Sequence, residues 1–369
     1  MNMTKRYTYA LVVMLFGGML HSIQAQALEF GAISNVKVIS TDAPGESSAF
    51  AIGALDLFAT HKVNENTVAF IEYVFEGDES FVLDLERLWI KRTFSDAFEL
   101  AGGRFHSSLG YWNRTYHHGA IIQPTVSRPF FLDFEDGDAG ILPAHTIGFI
   151  ANGQLNDNFS YEASIANSSF IDSTIVGVDK VELGIGNASD RSDDKSIGLH
   201  VTYDSSSLPM TVGVFIMQNS IVENATTGTT PAFGSLSKGG ELVDQIISGI
   251  DFRYQHGDFD VLAEYYNLDN DATSVGGKDD SASAYFFQFG YQATEQLKVI
   301  YRNEALDFEA TDIYFQLLGT QEAEHNVIAL RYDIDDANAL TLEINSTDFE
   351  TAGNDDFTIT TLDWSFLLF

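Results

Sequence analysis

From Leu28 onward the chain is a succession of segments of about ten residues in which apolar and polar side chains alternate. A period of two puts alternate side chains on opposite faces of an extended strand. In Phe259-Asp260-Val261-Leu262-Ala263-Glu264-Tyr265, the residues Phe259, Val261, Ala263 and Tyr265 share one face, with Asp260 and Glu264 on the other. Tyr285, Phe287, Phe289 and Tyr291 form a second such row, opposite Gln288 and Gly290. Leu297, Val299 and Tyr301 alternate with Lys298, Ile300 and Arg302, and Ile250, Phe252 and Tyr254 with Asp251 and Arg253. The pattern recurs over residues 28–40, 49–60, 66–76, 83–94, 97–105, 144–153, 158–166, 195–203, 210–219, 247–255, 258–267, 283–293, 296–304, 325–333, 338–346 and 357–369, sixteen segments in all.

The connections alternate as well. Those after even-numbered segments are short: 61–65, 95–96, 156–157, 204–209, 256–257, 294–295 and 334–337. Those after odd-numbered segments are mostly long, notably 106–143, 167–194, 220–246, 268–282 and 305–324. A soluble sandwich has no reason to keep such an order, whereas a membrane barrel has tight turns at one end and long loops at the other. After Leu28 no apolar run reaches the roughly 20 residues of a spanning helix, and lipid admits only helices and closed barrels. The expected fold is therefore all-β, a transmembrane antiparallel β-barrel of about 16 strands. Long extracellular loops, short periplasmic turns and two periplasmic termini complete it.

The first 27 residues read as a signal peptide. Lys5 and Arg6 form a basic start, Tyr7 to Leu20 an apolar run, and Ala25-Gln26-Ala27 a small-x-small cleavage site. Residues 28–369 then form the barrel, exported to the periplasm and from there to the cell outer membrane. Removing the two basic residues of the leader takes the formal charge from −34 to −36. So acidic a chain has no basic face for nucleic acid. Its 29 Phe and 15 Tyr argue against disorder, because so many rings need burial or lipid. With no cysteine, disulfide scaffolds, zinc–thiolate centres and iron–sulfur centres are excluded.

The chain ends Leu362-Asp363-Trp364-Ser365-Phe366-Leu367-Leu368-Phe369, with Trp364, Phe366 and Leu368 on one face. A terminal Phe closing an aromatic strand looks like the signal read by Gram-negative barrel-insertion machinery, which would make that machinery a partner through Phe369. The strand count, the termini and an exceptional third loop, 106–143, resemble the outer-membrane diffusion porins. Over about 30 residues, Gly103-Arg104-Phe105-His106, Leu109-Gly110 and Ser127-Arg128-Pro129 are also similar to phosphate-selective porins. That subfamily would imply an inward ladder of basic residues, whereas here 53 acidic residues dominate.

The resemblance implies passive diffusion of small hydrophilic solutes and ions through a water-filled barrel, with no cofactor and no catalysis. It implies contact with outer-membrane lipid and lipopolysaccharide, and a homotrimer, for which Ala32 and Ala59 are small outward candidates at a subunit contact. It also implies that the third loop folds into the barrel as a constriction.

The expected constriction residues are Arg87, Lys91, Arg302 and Arg331 on the wall and Arg114, Arg128, Asp133, Glu135 and Asp136 on the loop, since charges in a narrow lumen set ion preference. The plainer reading is that the basic groups pair with inward acids such as Glu72, Glu99, Glu162, Glu264 and Glu343. His117 and His118 with His106 could capture a metal, but adjacent strand residues point apart, and no metal ligand set is expected. Ser107 or Ser108 beside His106 is weak ground for a nucleophile and base. The alternative to a channel is an occluded barrel acting in adhesion, ligand binding or metal binding.

Overall fold

The computed structural model describes residues 28–43, 47–77, 81–133, 140–171, 183–184, 192–224, 239–349 and 356–368. Residues 1–27, read above as a signal peptide, and Glu135, Asp136 and Phe369 lie outside the described residues. Every one of the sixteen expected segments is a strand. In chain order they begin with β1 (Leu28–Thr41), β2 (Ala49–Asn64), β3 (Thr67–Gly77), β4 (Phe81–Ser95), β5 (Phe98–His106), β6 (His145–Gln154) and β7 (Phe159–Asn167). A two-residue strand, β8 (Phe170–Ile171), lies in the next loop. There follow β9 (Lys195–Asp204), β10 (Met210–Glu223), β11 (Glu241–His256), β12 (Phe259–Asp271), β13 (Asp279–Gln292) and β14 (Leu297–Phe308). The last three are β15 (Ala323–Asp335), β16 (Asn338–Phe349) and β17 (Phe357–Leu367).

Each long strand pairs antiparallel with its neighbours, β7 passing directly to β9, and β17 returns to β1 with Ile33 opposite Leu367 and Thr41 opposite Ile359. The ladder is closed, so no strand offers an unpaired backbone edge to lipid. Outward side chains form an apolar belt that includes Phe50, Ile90, Phe149, Ile197, Ile250, Phe287, Ile328 and Trp364. Inward neighbours such as Asp56, Glu72, Glu264 and Asp363 are buried. Ala32 and Ala59 are covered by surrounding side chains, so they do not form the exposed small-residue patch expected of them.

One end is closed by tight turns. Between His256 and Phe259 only Gly257 and Asp258 remain, and Gly257 takes φ 59°, the sign that two-residue hairpin turns favour. At the other end β10 to β14 run several residues further than the alternation indicated. There some paired residues are polar on both strands, as where Asp244 faces Asp271 and Gln245 Nε2 donates to Asn270 Oδ1 at 2.9 Å, and others are apolar, as where Ile221 faces Val243 and Leu306 faces Ala323. Where both partners are polar the apolar alternation is interrupted, and the segment reads as loop.

Along and below those extensions the inward face changes character. Phe215, Met217, Val243, Ile247, Leu262, Tyr266 and Phe286 form an apolar core inside the lumen, where polar side chains were expected. The core also takes in Phe315, Leu317 and Leu318 of a short helix, α2 (Ile313–Leu318), which follows α1 (Trp112–Tyr116) of the third loop. Asp312 caps α2 by accepting the Tyr314 amide, and Gly319 ends it at φ 72°. Burial raises the Asp312 carboxyl above its ordinary range, while its bonds from Asn270 and Tyr314 oppose that rise.

Candidate functional site

The wall is low where the third loop leaves it. β5 and β6 have 9 and 10 residues, against 14 and 16 in β10 and β11. The chain therefore departs at His106 below the rim and turns into the lumen. Counting round the ring from β5 through β6, β7, β9, β10, β11, β12 and β13, β14 is the eighth strand of sixteen, directly across the barrel. The loop is bound there.

Arg302 on β14 is fully buried and uses all five of its N–H groups. Nε donates to Glu304 Oε1 at 2.6 Å; Nη1 donates to Thr125 Oγ1 at 2.5 Å and the Ser127 carbonyl at 3.0 Å. Nη2 donates to Ser127 Oγ at 2.9 Å and the Arg128 carbonyl at 3.0 Å. Glu304 Oε2 accepts from the Phe130 amide at 2.6 Å. On β15, Arg331 donates to the carbonyls of Gln123 and Ile121, each at 2.7 Å, and on β16 Glu343 accepts the amides of Val126 and Ser127. Arg302 and Arg331 were expected to face the passage. They lie on the inward face, but beneath the loop, where its carbonyls hold their guanidinium groups.

The first turn of the loop is seated on β12. Glu264 Oε1 accepts the amides of Tyr111 and Trp112 at 2.9 and 2.6 Å, and Tyr266 donates its hydroxyl to Glu264 Oε2. Gly110 makes this approach at φ 62°, where a Cβ would collide with the Tyr266 hydroxyl and the Glu264 carboxylate. Trp112 is fully buried against Phe286, with Arg302 over its ring. A Gly110→Val protein is expected to lose this seat, since left-handed backbone alone costs a branched residue about 1–2 kcal/mol before any clash. Limited trypsin digestion checks it: cleavage after Arg114 should appear in the variant and be absent from the wild type.

Two cavities flank the loop. The one toward the short turns is about 430 Å³ and is lined by Arg87, Lys91, Tyr111, Arg114, Glu162, Asp204 and Arg253 among others. The one toward the long loops is about 490 Å³ and includes Lys37, Asp56, Arg128, Asp133 and Asp363. Of the expected constriction residues, Arg87, Lys91 and Arg114 thus meet in one cavity, and Arg128 and Asp133 in the other. Arg253, inward by its alternation but not picked out from the sequence, joins the first group.

Each of those four cations has an acidic neighbour. Arg87 Nε is 2.5 Å from Glu72, Lys91 Nζ 2.9 Å from Glu99, Arg114 Nε 3.2 Å from Glu162, and Arg253 Nε 3.9 Å from Asp251. In every case the cation is the more exposed partner, at 26, 33, 28 and 30% against 4, 22, 15 and 0%. Water in this cavity therefore meets positive charge first. Arg114 also contacts His200 Nδ1 at 2.7 Å, and His200 Nε2 lies 2.8 Å from Asp251, which ties α1 to β9 and β11.

Histidines collect at the opposite edge of the loop. β3 and β4 shift register at Glu72–Arg87 and Tyr73–Leu85, so Glu86 is an extra residue in a bulge. Strict alternation would point Glu86 outward; the bulge turns both Glu86 and Arg87 inward. Glu86 Oε2 is 3.0 Å from His118 Nε2 and 3.0 Å from His145 Nε2. His145 opens β6 opposite His106, so their rings share a face. His117 follows α1 in helical backbone instead of a strand, and its ring centroid lies 4.5 Å from that of His118. Burial first, and then the neighbouring imidazoles, hold His117 well below its ordinary value. Ser107 accepts from Asn113, and Ser108 donates to Ser164, contacts that suit structural hydroxyls.

No protein-family model matches the sequence, and a search of curated protein sequences finds no relative. Solved structures do match. The outer membrane channel DcaP of Acinetobacter baumannii aligns over 94% of this chain and 99% of its own, with a TM-score of 0.63 and 10% identity. An anion-selective porin from Comamonas acidovorans aligns over 93% and 99%, with a TM-score of 0.63 and 14% identity. Salmonella typhi OmpF, solved with daunomycin, aligns over 93% and 98%, with a TM-score of 0.60 and 9% identity. The chain has the closed sixteen-strand barrel fold of the outer-membrane porins.

Proposed function

We propose that the protein is an outer-membrane channel for passive diffusion of small hydrophilic solutes and ions. The observation that carries this reading is a loop fastened across the full lumen with a charged cavity on either side. Loops that restrict a lumen act through size and through the charge of the groups beside the path. Arg87, Lys91, Arg114 and Arg253 line that path toward the short turns, with Arg128 and Asp133 above them. Arg302 and Arg331 hold the loop in place. Signal cleavage after Ala27, recognition of Phe369 by the insertion machinery, contact with lipopolysaccharide and a homotrimer belong to the same reading.

Net charge and local charge pull in opposite directions. The chain carries −34 overall, which draws cations toward the mouth. The four cations lie in the cavity itself, where screening is weak. At physiological ionic strength the Debye length is about 8 Å, and at 10 mM it is about 30 Å. Distant acids are thus felt at the constriction mainly in dilute salt. The reversal potential under a salt gradient is expected to favour anions near 0.15 M and to move toward cations near 0.01 M. Arg253→Ala is expected to reduce the anion preference. A cation preference at both concentrations, unchanged in the variant, would remove the four cations from the account.

The second reading, an occluded barrel serving adhesion or ligand binding, draws on the apolar core beneath β10 to β14. It differs in one observable, the absence of any solute or ion current through a folded barrel.

A further inference from the structure

Among the described residues, the densest group of metal-ligating side chains is the one at the bulge of β4, where His117 and His118 also border the larger cavity. Glu86, His117, His118 and His145 each present one ligand atom, and these four atoms lie within 4.8 Å of one another, all on buried residues. They come from three separate stretches of chain: the β4 bulge, the end of α1 and the start of β6. Local sequence does not bring them together, so their convergence belongs to the folded state.

We infer that Glu86, His117, His118 and His145 form a site for one divalent first-row transition metal of the zinc class. Zinc bonds to imidazole nitrogen or carboxylate oxygen are about 2.0–2.1 Å, which sets a tetrahedral ligand–ligand edge of about 3.3 Å. Glu86 Oε2 already stands 3.0 Å from each of His118 Nε2 and His145 Nε2. The His117 ring centroid is 4.5 Å from those of both His118 and His145. Closing the set on an ion requires side-chain movement smaller than a rotamer change.

Chemistry narrows the ion. Three imidazoles and one carboxylate suit zinc, nickel, copper or iron, whereas calcium and magnesium take all-oxygen shells. One carboxylate against a dication leaves a single positive charge in a buried place, far less than the bare ion would carry. Outer contacts orient the ligands, as metal centres require. His106 packs its ring 4.9 Å from His117 and 5.0 Å from His145, while Arg128 and Gln123 donate to the His117 carbonyl at 2.8 and 3.5 Å.

The position also states what the ion does. Arg302, Arg331 and Glu343 hold the middle of the loop to β14, β15 and β16. The metal holds the end of α1 to β4 and β6, on the side where the loop begins. A loop so clamped at both walls stays across the lumen, and removing the ion frees one side.

The test uses the mature chain without a polyhistidine tag, folded in detergent, stripped with chelator and reloaded with Zn²⁺. Elemental analysis after gel filtration is expected to find one zinc per chain, retained against excess Ca²⁺ and Mg²⁺. Glu86→Gln and His145→Ala are expected to lose it, and His256→Ala, which alters an exposed histidine near the short turns, is expected to keep it. Heat-modifiable migration on gels reports whether each variant is a folded barrel. Should His145→Ala fail to fold, Co²⁺ added to the wild type decides alone: intense visible d–d bands at one equivalent support a four-coordinate site. Wild-type protein that retains no zinc and gives only weak octahedral Co²⁺ bands overturns the inference, as does equal zinc retention by a folded Glu86→Gln protein.

Discussion

Arg302→Ala should release the middle of the third loop and leave a channel that conducts more, with larger open-state noise. The guanidinium holds Thr125, Ser127 and Arg128 and pairs with Glu304, all away from water. Removing it strands a buried carboxylate and four loop acceptor atoms. Breaking a buried pair by deleting one partner costs about 3–5 kcal/mol, comparable with the charge-assisted bonds of about 1.5–3 kcal/mol each by which Arg331 and Glu343 still hold the neighbouring residues. The wall should persist, because β14 keeps its full ladder to β13 and β15, from Lys298–Gln292 and Lys298–Arg331 upward. Bilayer recordings of the variant beside the wild type check this: unchanged conductance would mean that the loop is held by other groups or does not restrict the lumen.

Trp112→Ala should have the second large effect, and by a different route. Trp112 is the largest fully buried side chain, and it packs among Tyr116, Phe286 and the Arg302 guanidinium. Truncating a buried Trp costs about 3–5 kcal/mol in lost burial and in the cavity left behind. The cavity lies between loop and wall, so the expected outcome is a lower thermal transition for the loop region together with trypsin cleavage at Arg114. Trp112→Phe, which keeps a ring in place, should recover most of the loss. A Trp112→Ala protein as trypsin-resistant as the wild type would show that the seat on Glu264 suffices without the indole.

The two variants separate anchoring by charge from anchoring by packing, and the sequence made only the first approachable. Strands were legible because a strand half in lipid must alternate, as Phe259 to Tyr265 does. The connections were legible because a barrel has two unlike ends. Alternation also put Arg302, Arg331, Glu264 and Glu343 on the inward face. It could not say that the loop would cover them, because that depends on where the loop crosses. Glu86 was hidden by the bulge: one extra residue inverts its side, and nothing in Leu85-Glu86-Arg87 marks the shift. The converging histidines were hidden too, since His117-His118 reads as divergent unless the local backbone is helical. His145 joins them only through its pairing with His106.

The apolar core inside the lumen was missed for a related reason. Phe215, Met217, Ile247 and Phe286 lie on strands whose outward face is apolar as well, so their alternation is weak and no polar row marks the inside. A strand apolar on both faces reads simply as buried. Here one face meets lipid and the other meets the loop and α2. This core restricts the long-loop half of the barrel beneath β10 to β14, leaving the two charged cavities as the space through which solutes would pass.

The most direct test of an open, loop-restricted lumen is single-channel recording of the folded wild-type protein in a planar bilayer. Discrete, reproducible current steps that grow in Arg302→Ala are the predicted result. A demonstrably folded barrel that passes no current, in wild type and variant alike, would contradict the channel reading and leave an occluded barrel.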